Sequence, residues 1–281
     1  MISHGQVIPA GYDSISRGER AWIYLWRVSK QVRLRLKMPV FRQIVLIAGS
    51  QRSGTNMLMY ALQWSSYTDV IHEFDHRAFV RYEMRPVEVI EALAHRSKAP
   101  FFVIKALCEL DRLGTLMDQL APAKTIWCVR NYNDCVRSMI RSFSKFGDQL
   151  RRLSLDKASV GWRGRGMSDA TQSLLRRLYH PAMNEASAAA LMWYYRNILF
   201  FEQGLDRDPR VSLFFYEDLV RRPDIEGERI FDFLGLPRWS RWIVRKIRQN
   251  SINGLTCEDI EPEVRVLCDA LHARFQALRF A

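Results

Sequence analysis

The most constraining feature of the sequence is a short apolar segment that runs into a glycine-containing turn and then into a helical pattern. Residues 43–49 (QIVLIAG) are rich in β-branched side chains and end in glycine, which predicts a strand buried on both faces. After the turn, Met57, Leu58, Ala61 and Leu62 recur at helical spacing. A strand, a loop and a helix in this order form the unit from which parallel sheets are built.

The same strand pattern recurs at residues 101–106, 125–129 and 211–216. The amphipathic stretches between these segments are long enough for crossover helices. The expected fold class is therefore α/β, with a central parallel sheet flanked by helices in three layers.

The first turn, Gly49-Ser-Gln-Arg-Ser-Gly-Thr-Asn56, has the two-glycine frame of a P-loop, but Thr55 stands where the phosphate-binding lysine belongs. A loop between a strand and a helix still directs backbone N–H groups at an anion. Without the lysine it is poorly suited to a nucleoside triphosphate, whereas Arg52 can hold one phosphate or sulfate with two parallel hydrogen bonds. The turn predicts a P-loop-NTPase-like fold with an altered anion site.

The charge balance indicates an anionic partner. The chain carries 42 Lys and Arg against 30 Asp and Glu, a net charge of +12, which fits nucleic acid, a membrane surface, an acidic polymer or a polyphosphorylated cofactor. Residues 1–42 hold eight of the basic and two of the acidic residues and form a basic N-terminal extension. Within it, residues 20–37 alternate aromatic and basic side chains. We expect them to pack on the domain as a helix, and contact with an anionic membrane surface is the alternative.

The sequence has no apolar run long enough to span a bilayer, and its first residues lack the apolar core of a signal peptide. Its five cysteines form no C-x-x-C pair and lie mostly in apolar or amphipathic runs. They are expected to be reduced, packed thiols, and the chain is expected to be cytoplasmic.

The Arg52-Ser-Gly-Thr55 turn behind a buried strand resembles the 5′-phosphosulfate loop of the sulfotransferases that use 3′-phosphoadenosine 5′-phosphosulfate (PAPS). The resemblance implies that Arg52, Ser53, Gly54, Thr55 and Asn56 surround the 5′-phosphate of this donor. In motif spacing the chain is most similar to carbohydrate and tyrosyl-protein sulfotransferases.

Two further segments carry the resemblance. Arg130 at the end of the third strand and Ser138 eight residues later are similar to the family's 3′-phosphate element, which implies both as ligands of that phosphate. The family often has Asp-Pro after this arginine, and Asn131-Tyr132 replaces it here, so the local turn is expected to differ. Residues 215–219 (FYEDL) resemble a later strand of the family and imply Tyr216 on the nucleotide side. Its alternative role is to cap the sheet edge.

The catalytic base is expected on the turn after the first helix, in residues 70–76 (VIHEFDH). Glu73 resembles the catalytic glutamate of the carbohydrate and tyrosyl-protein enzymes and is favoured over His72. The alternative is that residues 70–76 form a solvent-exposed polar turn without a catalytic role. Lys105 follows four apolar residues of the second strand, where an unpaired charge is costly to bury. The resemblance implies that Lys105 stabilises charge on the bridging oxygen as the S–O bond breaks. Alternatively, its side chain extends to the rim of the sheet. Arg52 is expected to assist catalysis as well as binding.

The expected activity is transfer of a sulfuryl group from PAPS to an acceptor hydroxyl on a carbohydrate or glycolipid, with adenosine 3′,5′-bisphosphate (PAP) as the second product and without a metal. A protein tyrosine is the alternative acceptor. A P-loop kinase and a basic nucleic-acid-binding protein are the competing classes, and no nucleic-acid partner is expected. Residues 43–281 are predicted to form one sulfotransferase domain, with a lid or acceptor insertion at 147–183 where glycines interrupt the helical rhythm.

Overall fold

The computed structural model describes residues 43–237, 257 and 259–279, together with 25, 26, 28–30 and 32. Its main sheet contains the strands β1 (Gln43–Gly49), β2 (Thr68–Ile71), β5 (Phe101–Ala106), β6 (Ala123–Val129) and β7 (Val211–Phe215). They are all parallel and lie in the order β2-β5-β1-β6-β7. A separate antiparallel hairpin pairs β3 (Phe79–Val80) with β4 (Glu83–Met84).

Helices cover both faces of the sheet. The described helices are α1 (Thr55–Gln63), α2 (Val87–Arg96), α3 (Leu113–Gln119), α4 (Tyr132–Ser142), α5 (Phe146–Leu155), α6 (Asp169–Leu178), α7 (Glu185–Glu202), α8 (Tyr216–Arg221), α9 (Pro223–Leu234) and α10 (Pro262–Ala277), with short 3-10 helices at Lys157–Arg163 and Leu205–Arg207.

The alternation of side chains along β1 divides the core in two. Ile44, Leu46 and Ala48 pack on the face covered by α2 to α7 and α10. Val45 and Ile47 pack on the other face, against α1, α8 and α9. Because side chains of a strand point alternately to opposite faces, an uninterrupted apolar strand requires a layer on each side. The predicted three-layer α/β fold with a parallel sheet is confirmed.

Three local predictions differ from the structure. The edge strand β2 was not predicted, because its four residues (TDVI) include two polar side chains and give no apolar run. Tyr216, predicted as the end of a strand, begins α8, since β7 ends at Phe215. Residues 147–183 contain most of α5 and all of α6, so the break in rhythm is confined to the glycine-rich stretch between these helices.

Part of the 20–37 segment packs on the domain. Its described residues are helical, the Trp26 ring lies 6.1 Å from the Trp64 ring, and Lys30 Nζ donates to the Gln63 carbonyl at 2.6 Å. Leu25 and Val28 on the same helix are exposed. The remainder of the segment lies outside the described residues.

All five cysteines are free thiols and buried, as predicted. Among the residues that the structure describes, no helix is both long and apolar enough to cross a bilayer.

Position 164 requires glycine because two parts of the backbone lie close together there. A Cβ added at Gly164 would lie 1.8 Å from the Lys157 carbonyl oxygen, whereas one added at Gly114 in α3 meets nothing within 4 Å. We predict that Gly164→Ala lowers the free energy of unfolding by about 2–3 kcal/mol because the backbone has to shift. Gly114→Ala should be neutral or slightly stabilising. Urea unfolding of both variants checks this, and equal stabilities would contradict the close approach.

Candidate active site

The predicted site residues follow the carboxyl ends of adjacent strands. β1 lies at the centre of the sheet between β5 and β6, so the chain leaves β1 at the point where the strand order reverses. In such sheets ligands bind in the crevice outside the carboxyl ends at this point. The loop with Arg52 follows β1, Lys105 lies near the end of β5, Arg130 follows β6 and Tyr216 follows β7. The fold thus brings four distant segments of sequence to one edge.

Two glycines allow the loop after β1 to pack closely on its neighbours. Gly49 has φ 142°, and a Cβ there would lie 2.6 Å from the Cys128 carbonyl oxygen of β6. Gly54 has φ 99°, and a Cβ there would lie 2.4 Å from Cδ2 of Tyr216. A side chain at either position would push the loop away from β6 or from the Tyr216 ring.

The start of α1 has the features of an anion site. The helix begins at Thr55 behind Gly54, and no side chain of the described residues caps its first N–H groups. The Ser53 hydroxyl is fully buried and has no hydrogen-bond partner among the residues that the structure describes. Helix N–H groups without internal partners and a buried hydroxyl donor together favour a phosphate. The residues present therefore fit the 5′-phosphate of the expected donor.

Arg52, Ser138 and Arg130 form one cluster. Arg52 Nε donates to Ser138 Oγ at 2.8 Å, and Arg130 Nη1 donates to the Arg52 carbonyl oxygen at 3.2 Å. The Arg130 guanidinium lies 4.5 Å from the centre of the Tyr216 ring. The structure therefore brings together the loop after β1, which is expected at the 5′-phosphate, and the Arg130–Ser138 element, which is expected at the 3′-phosphate. Tyr216 contacts both.

The charge of Arg52 lies in a partly buried environment. Within the described part of the chain, no carboxylate lies within ion-pair distance of Arg52. Burial lowers the pKa of Arg52, and the positive charges of Arg130 and Arg141 act in the same direction. Arginine nevertheless stays protonated, because its ordinary pKa lies above about 12. A half-buried cation beside another cation is unfavourable unless an anion joins them.

The turn before the helix that carries Ser138 has Asn131 where the resemblance led us to expect Asp-Pro. The Asn131 side chain accepts a hydrogen bond from the Asn133 N–H at 3.0 Å and so caps α4. The Asn131 N–H in turn donates to Glu217 Oε1 at 2.9 Å. Burial raises the pKa of Glu217. Asn131 therefore starts the helix that positions Ser138 without the proline expected there.

Lys105 and Glu73 form a buried ion pair. The Lys105 side chain is 4% exposed and the Glu73 side chain 12%, and the two are in direct contact. Lys105 Nζ also donates to Asn56 Oδ1 at 2.7 Å. Lys105 therefore does not extend to the rim of the sheet, and it connects Glu73 to the helix that begins in the anion loop. Asn56, which is expected at the 5′-phosphate, thus also contacts Lys105 through its side-chain oxygen. His72 Nε2 lies 3.4 Å from Gln63 Oε1, at the far end of α1.

A narrow cleft lies next to the loop. The residues that line it include Gln51, Met139, Trp162, Arg163 and Trp193. The sequence offered a glycine-rich Trp-Arg string at 162–165 as its only signal for this cleft. The contribution of α7 was not predicted, because α7 is buried around most of its circumference and is indistinguishable from an ordinary core helix in sequence.

Comparisons with known proteins agree with this architecture. Residues 42–265 match the sequence model of the sulfotransferase domain, and no curated protein matches the chain significantly. The fold is similar to that of a sulfotransferase domain from the curacin biosynthetic pathway, with a TM-score of 0.50 and 16% identity, over 78% of this chain and 82% of that one.

Two further solved structures are less similar. A sulfotransferase from Alicyclobacillus acidocaldarius gives a TM-score of 0.48 at 18% identity, over 85% of this chain and 96% of that one. A mouse sulfotransferase complexed with PAP gives 0.42 at 15% identity, over 83% and 85%. The match to the sequence model spans most of the 281 residues. The chain therefore belongs to the sulfotransferase family and is a transferase.

Proposed function

We propose that the protein transfers a sulfuryl group from PAPS to an acceptor hydroxyl. The observation that carries this proposal is the joining of the anion loop to the Arg130–Ser138 element through Arg52. One loop without a Walker lysine suits one phosphate, and a second cationic element beside it suits another. A nucleotide with separate 5′ and 3′ phosphates matches two such positions.

The chain's own residues have distinct roles in donor binding. The N–H groups of Gly54 and Thr55 and the Ser53 hydroxyl bind the 5′-phosphate. Arg130 and Ser138 bind the 3′-phosphate, and Arg52 stands between the two. Tyr216 packs under Gly54 and against Arg130, so that it holds both positions at a fixed separation.

Glu73 and Lys105 carry the chemistry. The acceptor oxygen attacks sulfur, the bond from sulfur to the bridging phosphate oxygen breaks, and the hydroxyl proton passes to the Glu73 carboxylate. Because protonation neutralises Glu73, Lys105 loses its counterion at the moment when negative charge develops on the leaving oxygen. Its full charge then stabilises that oxygen in a site with little water.

Removal of either arginine should weaken the donor site. We predict that Arg52→Ala and Arg130→Ala each reduce PAP affinity by about 10- to 100-fold, since a hydrogen bond to a charged group contributes about 1.5–3 kcal/mol. Arg221→Ala, an exposed arginine of α8, is the control and should bind PAP normally. Calorimetric titration checks this. Wild-type affinity in both site variants would reject the donor assignment.

Removal of the base should separate binding from turnover. We predict that Glu73→Gln binds PAP within about threefold of wild type, while kcat falls by about 10²–10⁴ because general-base catalysis is lost. Glu88→Gln, at an exposed position of α2, should keep full activity. Unchanged turnover in Glu73→Gln would move the role of base to His72 or His76.

We propose a carbohydrate or glycolipid as the acceptor. The surplus of positive charge and the aromatic lining of the cleft beside the loop support this choice. A protein tyrosine is the alternative, because the spacing of Arg52 and Glu73 also resembles tyrosyl-protein enzymes. Transfer of labelled sulfate into a cell extract separates the two, since label in polysaccharide or lipid supports the first and label in protein the second.

We also propose that residues 20–37 contact an anionic membrane. The described part of the helix buries Trp26 and Lys30 toward the domain and leaves an apolar stripe of Leu25, Val28 and Val32 exposed. An apolar stripe within a basic segment suits the surface of anionic lipid.

Replacement of two stripe residues tests the membrane contact. We predict that Leu25→Gln together with Val28→Gln lowers partition onto phosphatidylserine-containing vesicles about tenfold, because apolar burial is lost. Val266→Gln, an equally exposed position of α10, is the control. Sedimentation with vesicles measures the effect, and equal partition of all three proteins would contradict it.

A further inference from the structure

The backbone of Trp162 and Arg163 is fixed by side chains from α7. The Tyr195 hydroxyl donates to the Arg163 carbonyl oxygen, and Arg196 Nη1 donates to the Trp162 carbonyl oxygen at 3.3 Å. The backbone of Gly164 lies close to the Lys157 carbonyl, so the chain turns back on itself directly after Arg163. The wall of the cleft is therefore held in place and is not a loose surface loop.

Arg196 of α7 also connects this wall of the cleft to the residues after β5, the strand that carries Lys105. Arg196 is 5% exposed, and its Nη2 donates to the Leu107 carbonyl oxygen at 2.8 Å. Leu107 lies two residues beyond Lys105. Both outer nitrogens of the guanidinium are thus used to hold Trp162 at a fixed position relative to the Lys105–Glu73 pair.

The other basic side chains of the 157–165 segment form ion pairs, whereas Arg163 stacks on an aromatic ring. Arg165 pairs with Glu83 and Asp111, and Lys157 pairs with Asp169. The Arg163 guanidinium stacks on Trp162 at 4.5 Å and is half-buried. Among the described residues no side chain or carbonyl accepts a hydrogen bond from it.

The cleft itself has an unbalanced charge. Its lining includes the two arginines, Arg163 and Arg196, and no carboxylate of a described residue. A half-buried guanidinium without an anion is unfavourable, and it offers a planar fork that matches a carboxylate, sulfate or phosphate. Of the two tryptophans in the lining, Trp193 is fully buried, and the half-buried Trp162 suits the apolar or ring face of a ligand.

We infer that the cleft is a specificity site for an acceptor that carries an anionic group, with Arg163 as the residue that pairs with this group and Trp162 as the surface for the acceptor's body. The inference rests on the proposed function and narrows its acceptor class. The lining of the cleft includes Gln51, which precedes Arg52, and Leu107, which lies two residues beyond Lys105. An acceptor held there has its hydroxyl at the Glu73–Lys105 pair while its charge lies at Arg163.

Matched acceptors that differ in one charge test this inference. Methyl glucuronide and methyl glucoside form one pair, and 4-hydroxybenzoate and 4-hydroxybenzamide form a second pair for a phenolic acceptor. We expect the wild type to favour a charged member by about tenfold or more in kcat/KM. Arg163→Gln should remove this preference, with the neutral member, PAP affinity and melting temperature unchanged. Arg163→Lys should keep part of the preference, because it keeps the charge.

The control is Arg177→Gln, which changes an exposed arginine of α6 and should leave the preference intact. Binding of each probe to the PAP-loaded protein is also followed by nuclear magnetic resonance, so that a probe that binds without reacting still gives a result. The inference is overturned if the wild type does not distinguish charge or binds no charged probe. Equal losses for charged and neutral members in Arg163→Gln, or weakened PAP binding, would overturn it too.

These outcomes separate the inference from the proposed function. Absence of PAP binding and of sulfate transfer would reject the proposed function itself. Intact transfer from PAPS that ignores the charge of the acceptor rejects only the role of Arg163.

Discussion

The close approach of the loop after β1 to β6 and to Tyr216 is the constraint on which the rest of the site depends. Glycine at positions 49 and 54 lets backbone and ring come nearer than any Cβ would permit. This contact places the start of α1 beside the end of β6, so that Arg52 reaches Ser138 and Arg130 reaches the Arg52 carbonyl. One packing contact therefore joins the loop after β1 to the Arg130–Ser138 element.

Buried charge is distributed unevenly around this contact. On the β5 side, Lys105 is compensated by Glu73, and the pair forms a unit in which a proton gained by one partner exposes the charge of the other. On the β6 side, Arg52 is only half-buried and has cationic neighbours. The first arrangement suits proton transfer, and the second suits the binding of an anion that the chain does not itself supply.

Much of the fold, and the proximity of Arg52 to Arg130, could be predicted from the sequence because both follow from local sequence patterns. Arg52 and Arg130 each follow an apolar strand directly, and parallel strands bring their carboxyl ends together. Lys105 follows four apolar residues, so the sequence indicated that its charge needs a partner. Its pairing with Glu73 could not be predicted, because it depends on the position of the turn after the edge strand β2. That strand is too short and too polar to give a periodic signal.

The cleft at Trp162 was beyond prediction for a related reason. It depends on hydrogen bonds from Tyr195 and Arg196 to backbone carbonyls more than thirty residues away, and carbonyl groups carry no sequence signature. Packing in three dimensions, and not residue type, decides which positive charge of the 157–165 stretch faces the cleft.

The proposed function requires that the loop without a Walker lysine serves a sulfate donor. Transfer of labelled sulfate from PAPS by the purified protein, measured with PAP as competitor and with ATP and Mg²⁺ in parallel, tests it most directly. We expect label to be transferred to a hydroxyl acceptor, PAP to inhibit the transfer competitively, and ATP with Mg²⁺ not to substitute for PAPS. Tight binding of ATP with Mg²⁺, together with indifference to PAP, would contradict it.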